Sequence, residues 1–134
     1  MTVLDQILKS KIVAIIRGAE PLDVKKIVQA LLEGGISIVE ITLNSRGALK
    51  LIEELSKQSG DRLLIGAGTV LEEGSVNDAV SAGARFIISP SFDPGVIAAT
   101  KKHGAVSIPG AFTATEIFAA FKSGGDIIKI FPAS

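Results

Sequence analysis

Cysteine is absent from the 134 residues of the chain, and this absence excludes both a disulfide framework and a thiolate metal site. No apolar run approaches the roughly 20 residues that a membrane-spanning helix requires. Acidic and basic residues balance at 14 each and are interspersed, so we expect neither a nucleic-acid partner nor a membrane partner. The first residues, Met1 to Gln6, lack the apolar core of a secretory signal. The expected compartment is therefore cytoplasmic.

Apolar residues are abundant, which indicates a folded domain with a substantial core. Hydrophobic residues make up 47% of the chain and charged residues 21%, a composition typical of globular proteins. A length of 134 residues is sufficient for one domain. We therefore expect residues 1–134 to form a single domain.

Short apolar runs alternate with amphipathic stretches along the chain. The runs begin near residues 12, 37, 63, 85, 105 and 127, and a glycine precedes nearly all of them. They lack clean polar alternation, as expected for parallel strands covered by helices. The stretches between them have helical spacing and N-terminal cap signals. Three of these signals are Ser45, Asp93 with Pro94, and the capping-box pair Thr113 and Glu116.

Two parallel α/β architectures fit this alternation. An open doubly wound sheet requires a glycine-rich phosphate-binding turn after the first strand, and the segment Arg17 to Pro21 is not such a turn. A (β/α)8 barrel requires about 200 residues or more, whereas this chain of 134 residues contains six predicted strands. Several polar residues nevertheless lie near the carboxyl ends of the strands, where barrel enzymes build their active sites. These residues are Arg17, Glu40, Thr42, Thr69, Ser89 and Lys129.

The favoured architecture is thus a barrel of the (β/α)8 (TIM) type, truncated after about six strands. Such an incomplete barrel exposes two sheet edges and an apolar interior, which creates a tendency to associate with another copy or a partner.

A lysine interrupts the last apolar run of the chain. Period-two alternation places Ile127, Lys129 and Phe131 on one face of this strand, which we expect to be buried. Burial of an ammonium group without a partner is costly, so Lys129 is expected to be paired or to become a neutral amine. A neutral amine is a nucleophile toward carbonyl groups, as Schiff-base chemistry requires. The other interpretation is a lysine that reaches solvent at the strand end or forms a structural ion pair.

Glu40 is a second anomaly, of opposite charge, in another apolar strand. It shares a face with Ile38 and Thr42, while Val39 and Ile41 point to the other side of the sheet. A buried ion pair is a weak source of stability, so two inward charges of opposite sign favour a shared functional site over a purely structural pair.

Six blocks of sequence occur together in one order. They are residues 12–17, 34–35 with 39–43, 65–70, 87–90, 108–110 and 128–132, and the Gly-Ala-Gly-Thr-Val and Lys-x-Phe-Pro blocks are specific. The chain resembles, over essentially its whole length, the 2-keto-3-deoxy-6-phosphogluconate (KDPG) aldolase family, which includes the 4-hydroxy-2-oxoglutarate (KHG) and phosphogalactonate aldolases. The resemblance implies a class I aldolase on a (β/α)8 barrel, commonly assembled as a homotrimer.

The resemblance also implies roles for individual residues. Lys129 matches the lysine that forms the Schiff base, and Glu40 matches the general acid/base glutamate. Thr69 matches a threonine that holds the substrate carboxylate, and Arg17 an arginine that binds an anionic group in some members. The full set of candidates for substrate contact is Arg17, Thr42, Asn44, Thr69, Pro90 and Phe131, with Pro90 and Phe131 matching apolar residues of the pyruvyl pocket.

The implied reaction is cleavage of a 2-keto-3-deoxy-6-phospho sugar acid to pyruvate and glyceraldehyde 3-phosphate. An iminium serves as the electron sink, so no metal or cofactor is expected. The single histidine, His103, agrees with this expectation. The small-molecule partner is therefore a 2-keto acid.

Two departures from the family pattern leave alternatives open. Asn44 stands where many gluconate-type members carry arginine, and together with Arg17 it resembles the galactonate type. The family places its phosphate-binding glycines after strands seven and eight, beyond the strands found here. One alternative is another phosphate-binding barrel enzyme in which Lys129 acts electrostatically, and the other is a catalytically inactive barrel fragment.

Overall fold

The structure, a computed structural model, describes residues 1–133. Helices and strands alternate along these residues, as the hydrophobic pattern predicts, except that two strand segments, 106–108 and 110–111, follow each other directly where one strand was predicted. The helices are α1 (Val3–Ser10), α2 (Pro21–Glu33), α3 (Ala48–Ser59), α4 (Glu73–Ala82), α5 (Pro94–Lys102) and α6 (Ala114–Lys122). The strands are β1 (Ala14–Ile16), β2 (Ile38–Thr42), β3 (Leu64–Gly68), β4 (Phe86–Ile88), β5 (Val106–Ile108), β6 (Gly110–Ala111) and β7 (Lys129–Ile130).

All observed strand pairs are parallel and follow chain order. The first sheet has the order β1-β2-β3-β4-β5, and β6 pairs with β7. The segment containing β7 runs beside β5 and β6 in turn, because Asp126 N donates to Ser107 O and Lys129 N donates to Pro109 O. A doubly wound sheet is defined by a reversal of strand order. The described strands contain no such reversal and therefore do not form a doubly wound sheet.

Successive residues of each strand point into two separate apolar layers. The outer layer lies between the sheet and the helices and includes Val39 and Ile41 of β2. The inner layer lies on the opposite face, where α1 contributes Ile7. The buried residues of this inner layer are Ile7, Ile38, Leu64, Phe86, Ile88, Val106 and Ile108. Because Glu40 shares its direction with Ile38, its carboxylate lies on the inner face.

Two of the three predicted helix caps are confirmed. The Asp93 carboxylate accepts hydrogen bonds from the first turn of α5, and Thr113 and Glu116 form a capping box at the start of α6. The prediction that Ser45 caps α3 is wrong. That helix begins after Gly47, whose left-handed backbone (φ 65°) turns the chain into the helix, and the Ser45 hydroxyl bonds to a neighbouring loop instead.

β1 is an edge strand of the first sheet and β7 is an edge strand of the second, and both are partly exposed. Large apolar side chains lie open to solvent there, with Ile15 55% exposed and Ile130 51% exposed. The prediction that the last strand is buried is therefore wrong. It pairs through two residues with β6 on one side, and among residues 1–133 no strand pairs with its other side.

Candidate active site

A cavity of about 300 Å³ opens at the carboxyl ends of the strands. It collects side chains from β1, β2, β4 and β7 and from the turns that follow β1, β3, β4 and β7. Six of the eight lining residues are among those that the sequence singled out. The lining residues are Ile15, Arg17, Glu40, Thr69, Ile88, Pro90, Lys129 and Phe131.

Glu40 is the most deeply buried polar residue of this cavity, with only 2% of its surface exposed. Its Oε2 atom has no hydrogen-bond partner among residues 1–133. Burial raises the pKa of the Glu40 carboxyl above its usual value, and the nearby positive charges of Lys129 and Arg17 offset part of this rise. The carboxyl group is therefore suited to exchange protons nearer to neutral pH than an exposed glutamate.

The space for the Glu40 side chain exists because residue 68 is glycine. A Cβ atom built on Gly68 would overlap Oε1 of Glu40 and would lie 2.5 Å from its Cδ and 3.0 Å from its Cγ. In the β2–β3 register, Glu40 pairs with Gly66, two residues before Gly68. The carboxylate thus leans along β3 toward the carboxyl end of the sheet, where the other site residues lie. Gly68 was not singled out from the sequence, although it lies within the Gly-Ala-Gly-Thr-Val block.

Lys129 lies in β7, the last strand of the chain, and its side chain lines the same cavity as Glu40 of β2. Its backbone N–H donates to Pro109 O at 2.9 Å, and Phe131 N donates to Ala111 O at 3.1 Å, which fixes the register of β7 against β6. The Lys129 side chain is half-buried, and its Nζ lies 4.8 Å from the centroid of the Phe131 ring. The predicted alternation of Lys129 and Phe131 on one face is confirmed by their shared cavity.

A second anchor holds the chain just before Lys129. The Asp126 carboxylate accepts a hydrogen bond from Ser107 N at 2.8 Å and forms an ion pair with Lys101 at 2.7 Å. Asp126 N donates in return to Ser107 O at 2.9 Å. These hydrogen bonds connect the start of the last strand to β5. They could not be predicted from the local sequence, because the partners are 19 and 25 residues away from Asp126.

Arg17 and Thr69 form a polar pair at the mouth of the cavity. The Arg17 Nη2 atom donates to Thr69 Oγ1 at 3.2 Å, and Arg17 is otherwise exposed. An arginine beside a hydroxyl is suited to bind a carboxylate or a phosphate. Pro90 and the Phe131 ring supply apolar walls beside this pair.

Two candidates for substrate contact lie outside the cavity lining. Thr42 is fully buried, and its hydroxyl contacts Ile16 O at 3.3 Å and Ser45 Oγ at 2.7 Å. Asn44 lies exposed in the turn that follows β2. Their roles in substrate contact stay predictions, whereas Ile15 and Ile88, which the sequence did not single out, line the cavity.

A second cavity of about 360 Å³ lies on the inner face behind the first and shares Ile15, Glu40, Ile88 and Lys129 with it. Its remaining lining is mainly apolar: Ile7, Leu8, Lys11, Val13, Ile108 and Ile127. The carboxylate and the amine thus stand between a polar mouth and an apolar interior. An amine, a carboxyl group and a guanidinium in such a place are suited to bind a small anion that carries a carbonyl group and to exchange protons with it.

Neither a membrane-spanning helix nor a metal cluster is present in the described part of the chain. None of the helices is both long and apolar enough to cross a bilayer. Residues 1–133 likewise contain no group of three or more histidine, cysteine, aspartate or glutamate side chains suited to hold a metal ion.

The fold and the site together define a parallel α/β protein with a lysine and a glutamate in one cavity at the carboxyl ends of its strands. Residues 3–134 match the family model described as KDPG and KHG aldolase. The chain therefore belongs to the KDPG and KHG aldolase family.

Individual relatives agree with this family. A probable 2-dehydro-3-deoxy-6-phosphogalactonate aldolase of Rhizobium meliloti strain 1021 is 41% identical over 123 residues, which cover 92% of this chain and 58% of that protein. The crystal structure of KDPG aldolase from Legionella pneumophila, with pyruvate captured at low pH as a covalent carbinolamine intermediate, is 37% identical with a TM-score of 0.84. The match covers 90% of this chain and 58% of that structure.

A third similar structure is a cube-shaped, highly porous protein cage designed by fusing symmetric oligomeric domains. It is 37% identical with a TM-score of 0.86, and the match covers 90% of this chain and 45% of the cage chain. The chain spans between 58% and 63% of the length of three curated relatives that it matches.

Proposed function

We propose that this chain carries the catalytic centre of a class I aldolase that cleaves a 2-keto-3-deoxy-6-phospho sugar acid to pyruvate and glyceraldehyde 3-phosphate. The observation that carries the proposal is the shared cavity of Lys129 and Glu40, with Arg17 and Thr69 at its mouth. Family membership supports it, as does the covalent carbinolamine captured with pyruvate in the Legionella pneumophila enzyme.

In the proposed reaction the neutral amine of Lys129 attacks the C2 ketone of the substrate and forms a carbinolamine. Loss of water gives an iminium, which accepts the electron pair of the C3–C4 bond as that bond breaks. The C4 hydroxyl loses its proton and becomes the aldehyde of glyceraldehyde 3-phosphate. The enamine left on Lys129 takes up a proton at C3, and hydrolysis of the resulting iminium releases pyruvate and restores the amine.

Glu40 is the proposed proton carrier in these steps. It would give a proton to the hydroxyl that leaves the carbinolamine and would take a proton from the C4 hydroxyl during cleavage. Both tasks require a carboxyl group that is protonated for part of the time, and the raised pKa of Glu40 is consistent with this requirement. Arg17 and Thr69 are the proposed binding groups for the substrate carboxylate, with Pro90 and Phe131 as the apolar walls around the pyruvyl group.

Turnover tests this proposal directly. Pyruvate release from 2-keto-3-deoxy-6-phosphogluconate and from its galactonate epimer is measured for the chain and for its Lys129→Met and Glu40→Gln variants. We expect release by the chain, none by Lys129→Met, and a rate for Glu40→Gln that is lower by about 10²–10⁴-fold, the usual contribution of a general acid or base. Equal rates for all three proteins would contradict the proposal and favour the inactive-fragment alternative.

We also propose that the described strands form an arc of a (β/α)8 barrel, with residues 1–134 as one incomplete barrel domain. The sequential parallel order of the strands supports a barrel. The inner layer and the rim position of the site residues are consistent with the same architecture. In this proposal the opening of the arc lies between β1 and β7, where Ile15 and Ile130 are exposed. We retain the cytoplasm as the proposed compartment, because a phosphorylated substrate does not cross the hydrocarbon layer of a membrane.

Self-association, as a homotrimer, is part of the proposal. Phe118 and Phe121 lie one turn apart on α6 and are 64% and 67% exposed, so they form an apolar surface of the kind that marks an interface. The designed cage, built from symmetric oligomeric domains, supports association of this fold. A Phe118→Asp, Phe121→Asp variant is expected to be monomeric in light scattering, whereas Leu22→Asp, at another exposed apolar residue (76%), keeps the assembly. Assemblies of equal mass in all proteins would exclude this surface.

A further inference from the structure

Two hydroxyl groups, from Thr42 and Ser45, connect the backbone groups on either side of Arg17. Gly18 N donates to Ser45 Oγ at 2.8 Å, and the Ser45 and Thr42 hydroxyls lie 2.7 Å apart. Thr42 Oγ1 in turn donates to Ile16 O at 3.3 Å. The contacts thus run from the N–H that follows Arg17 to the carbonyl that precedes it, through side chains of β2 and the turn after it.

The direction of every hydrogen bond in this chain of contacts is fixed by proton count. A hydroxyl has one proton to donate, and Thr42 uses its proton on Ile16 O, because a carbonyl can only accept. The Ser45 hydroxyl must therefore donate to Thr42, and it accepts from the Gly18 N–H. Every donor in the series is used once, and no alternative arrangement satisfies all three contacts.

The side chain of Arg17 needs such support. Arg17 is exposed, and within residues 1–133 its guanidinium makes a single hydrogen bond, to Thr69. An arginine side chain carries roughly 2 kcal/mol of rotamer entropy, and a mobile backbone would add to the freedom that is lost on binding an anion. Gly18 also has a left-handed backbone (φ 70°), so the turn after Arg17 depends on its hydrogen bonds as well as on glycine.

We infer that Ser45 and Thr42 are positioning residues that hold the backbone of Arg17, so that its guanidinium is ready to bind the carboxylate of the keto acid. Neither residue lines the cavity beside Arg17, so both act through Arg17, which for Thr42 takes the place of the substrate contact that the family resemblance implies. This inference rests on the proposed function for the identity of the anion and on the observed hydrogen bonds for the arrangement.

Borohydride trapping of pyruvate on the whole chain tests the inference. The pyruvate concentration that gives half-maximal trapping measures carboxylate binding, and the maximal rate measures imine formation. We expect Ser45→Ala to raise the half-saturating concentration roughly three- to tenfold, the effect of losing one or two hydrogen bonds, with an unchanged maximal rate. Ser45→Thr keeps the hydroxyl and is expected to match the unmodified chain.

An Arg17→Met background separates positioning from a general structural effect. In that background Ser45→Ala is expected to cause no further rise in the half-saturating concentration, because the side chain it positions is gone. An equal rise with and without Arg17 would overturn the inference. So would a lower maximal rate for Ser45→Ala, since that would place its effect on Lys129.

A readout that does not depend on pyruvate distinguishes failure of this inference from failure of the proposed function. If the unmodified chain forms no adduct, the proposed function is wrong, and the carboxyl titration of Glu40 by NMR still reports on Arg17. The charged groups that act on the Glu40 carboxyl are Lys129 and Arg17, and Lys11, which also lines the second cavity with Glu40, is unchanged in all these variants. Ser45→Ala and Arg17→Met should each move the Glu40 midpoint upward, and their combination should move it no further than Arg17→Met alone. An unmoved midpoint in Ser45→Ala would overturn the inference.

Discussion

The contact between Gly68 and Glu40 leads to a quantitative prediction. In Gly68→Ala the added methyl group would overlap the carboxylate and would lie 2.5 Å from Cδ of Glu40, whereas ordinary carbon–carbon contacts are about 3.5–4.0 Å. The Glu40 side chain is 2% exposed, so it must move within a packed interior. Overpacking of this kind costs about 1–3 kcal/mol of the free energy of unfolding.

Urea unfolding followed by circular dichroism measures this cost, since the chain has no tryptophan for fluorescence. Gly74→Ala is the matched control, because a Cβ at Gly74 in α4 meets no atom within 4 Å. Because Gly74 lies in the first turn of α4, alanine there should stabilise the protein by at most the gain expected in the middle of a helix, about 0.5–1 kcal/mol. The two glycine-to-alanine changes are thus expected to have effects of opposite sign.

A Glu40→Ala background tests whether the carboxylate is the cause. Without the glutamate side chain, the methyl group of Gly68→Ala enters vacated space, so its cost should fall by about 1–3 kcal/mol relative to the unmodified background. An equal loss of unfolding free energy for Gly68→Ala in both backgrounds, or a gain like that of Gly74→Ala, would show that the contact with Glu40 is not the reason why residue 68 must be glycine.

Two further predictions concern charge. Because the pKa of folded Glu40 is raised, its contribution to stability is present below the unfolded pKa of about 4.3 and is lost as the pH rises through the folded pKa. In urea titrations at several pH values, Glu40→Gln should therefore gain stability relative to the unmodified chain as the pH rises from 4 to 7, and a constant difference would contradict the cause assigned to the shift. Asp126→Ala removes the acceptor of Ser107 N and should cost about 1–2 kcal/mol in the same assay. Asp126→Asn keeps an acceptor and loses the ion pair with Lys101, whose side chain is 42% exposed, so its cost should be below about 1 kcal/mol, and equal costs would refute the backbone role.

The repeat of strands and helices could be predicted from the sequence because it depends on local periodicity. The apolar runs and the caps at Asp93 and Thr113 are signals contained within a few residues, and the structure confirms them. The inward direction of Glu40 and Lys129 also follows from period-two alternation within single strands. The order of the strands is the one that the favoured barrel architecture implies, and it does not depend on any one residue.

The features that could not be predicted depend on contacts between distant segments. Ser45 has the sequence signature of a helix cap, but its hydroxyl is used by Gly18, 27 residues earlier in the chain. The last strand is apolar enough to be buried, yet its exposure is set by the absence of a neighbour beyond β7 among the described strands. Thr42 shares the inward direction of Glu40, and its hydroxyl turns to the backbone of β1 because Ile16 O offers an acceptor there.

The central claim is that the amine of Lys129 forms the covalent bond with the keto acid. Peptide mapping by mass spectrometry after reduction with borohydride in the presence of pyruvate tests it most directly. Lys122 is the internal reference. Its Nζ lies 5.4 Å from the centroid of the Phe118 ring, but the residue is exposed, so it resembles Lys129 in having an aromatic neighbour and differs from it in lying outside the cavity. We expect the reduced pyruvyl group on Lys129 and its loss in Lys129→Met, but not in Lys122→Met. Equal labelling of Lys122 and Lys129, or no labelling of Lys129, would contradict the claim.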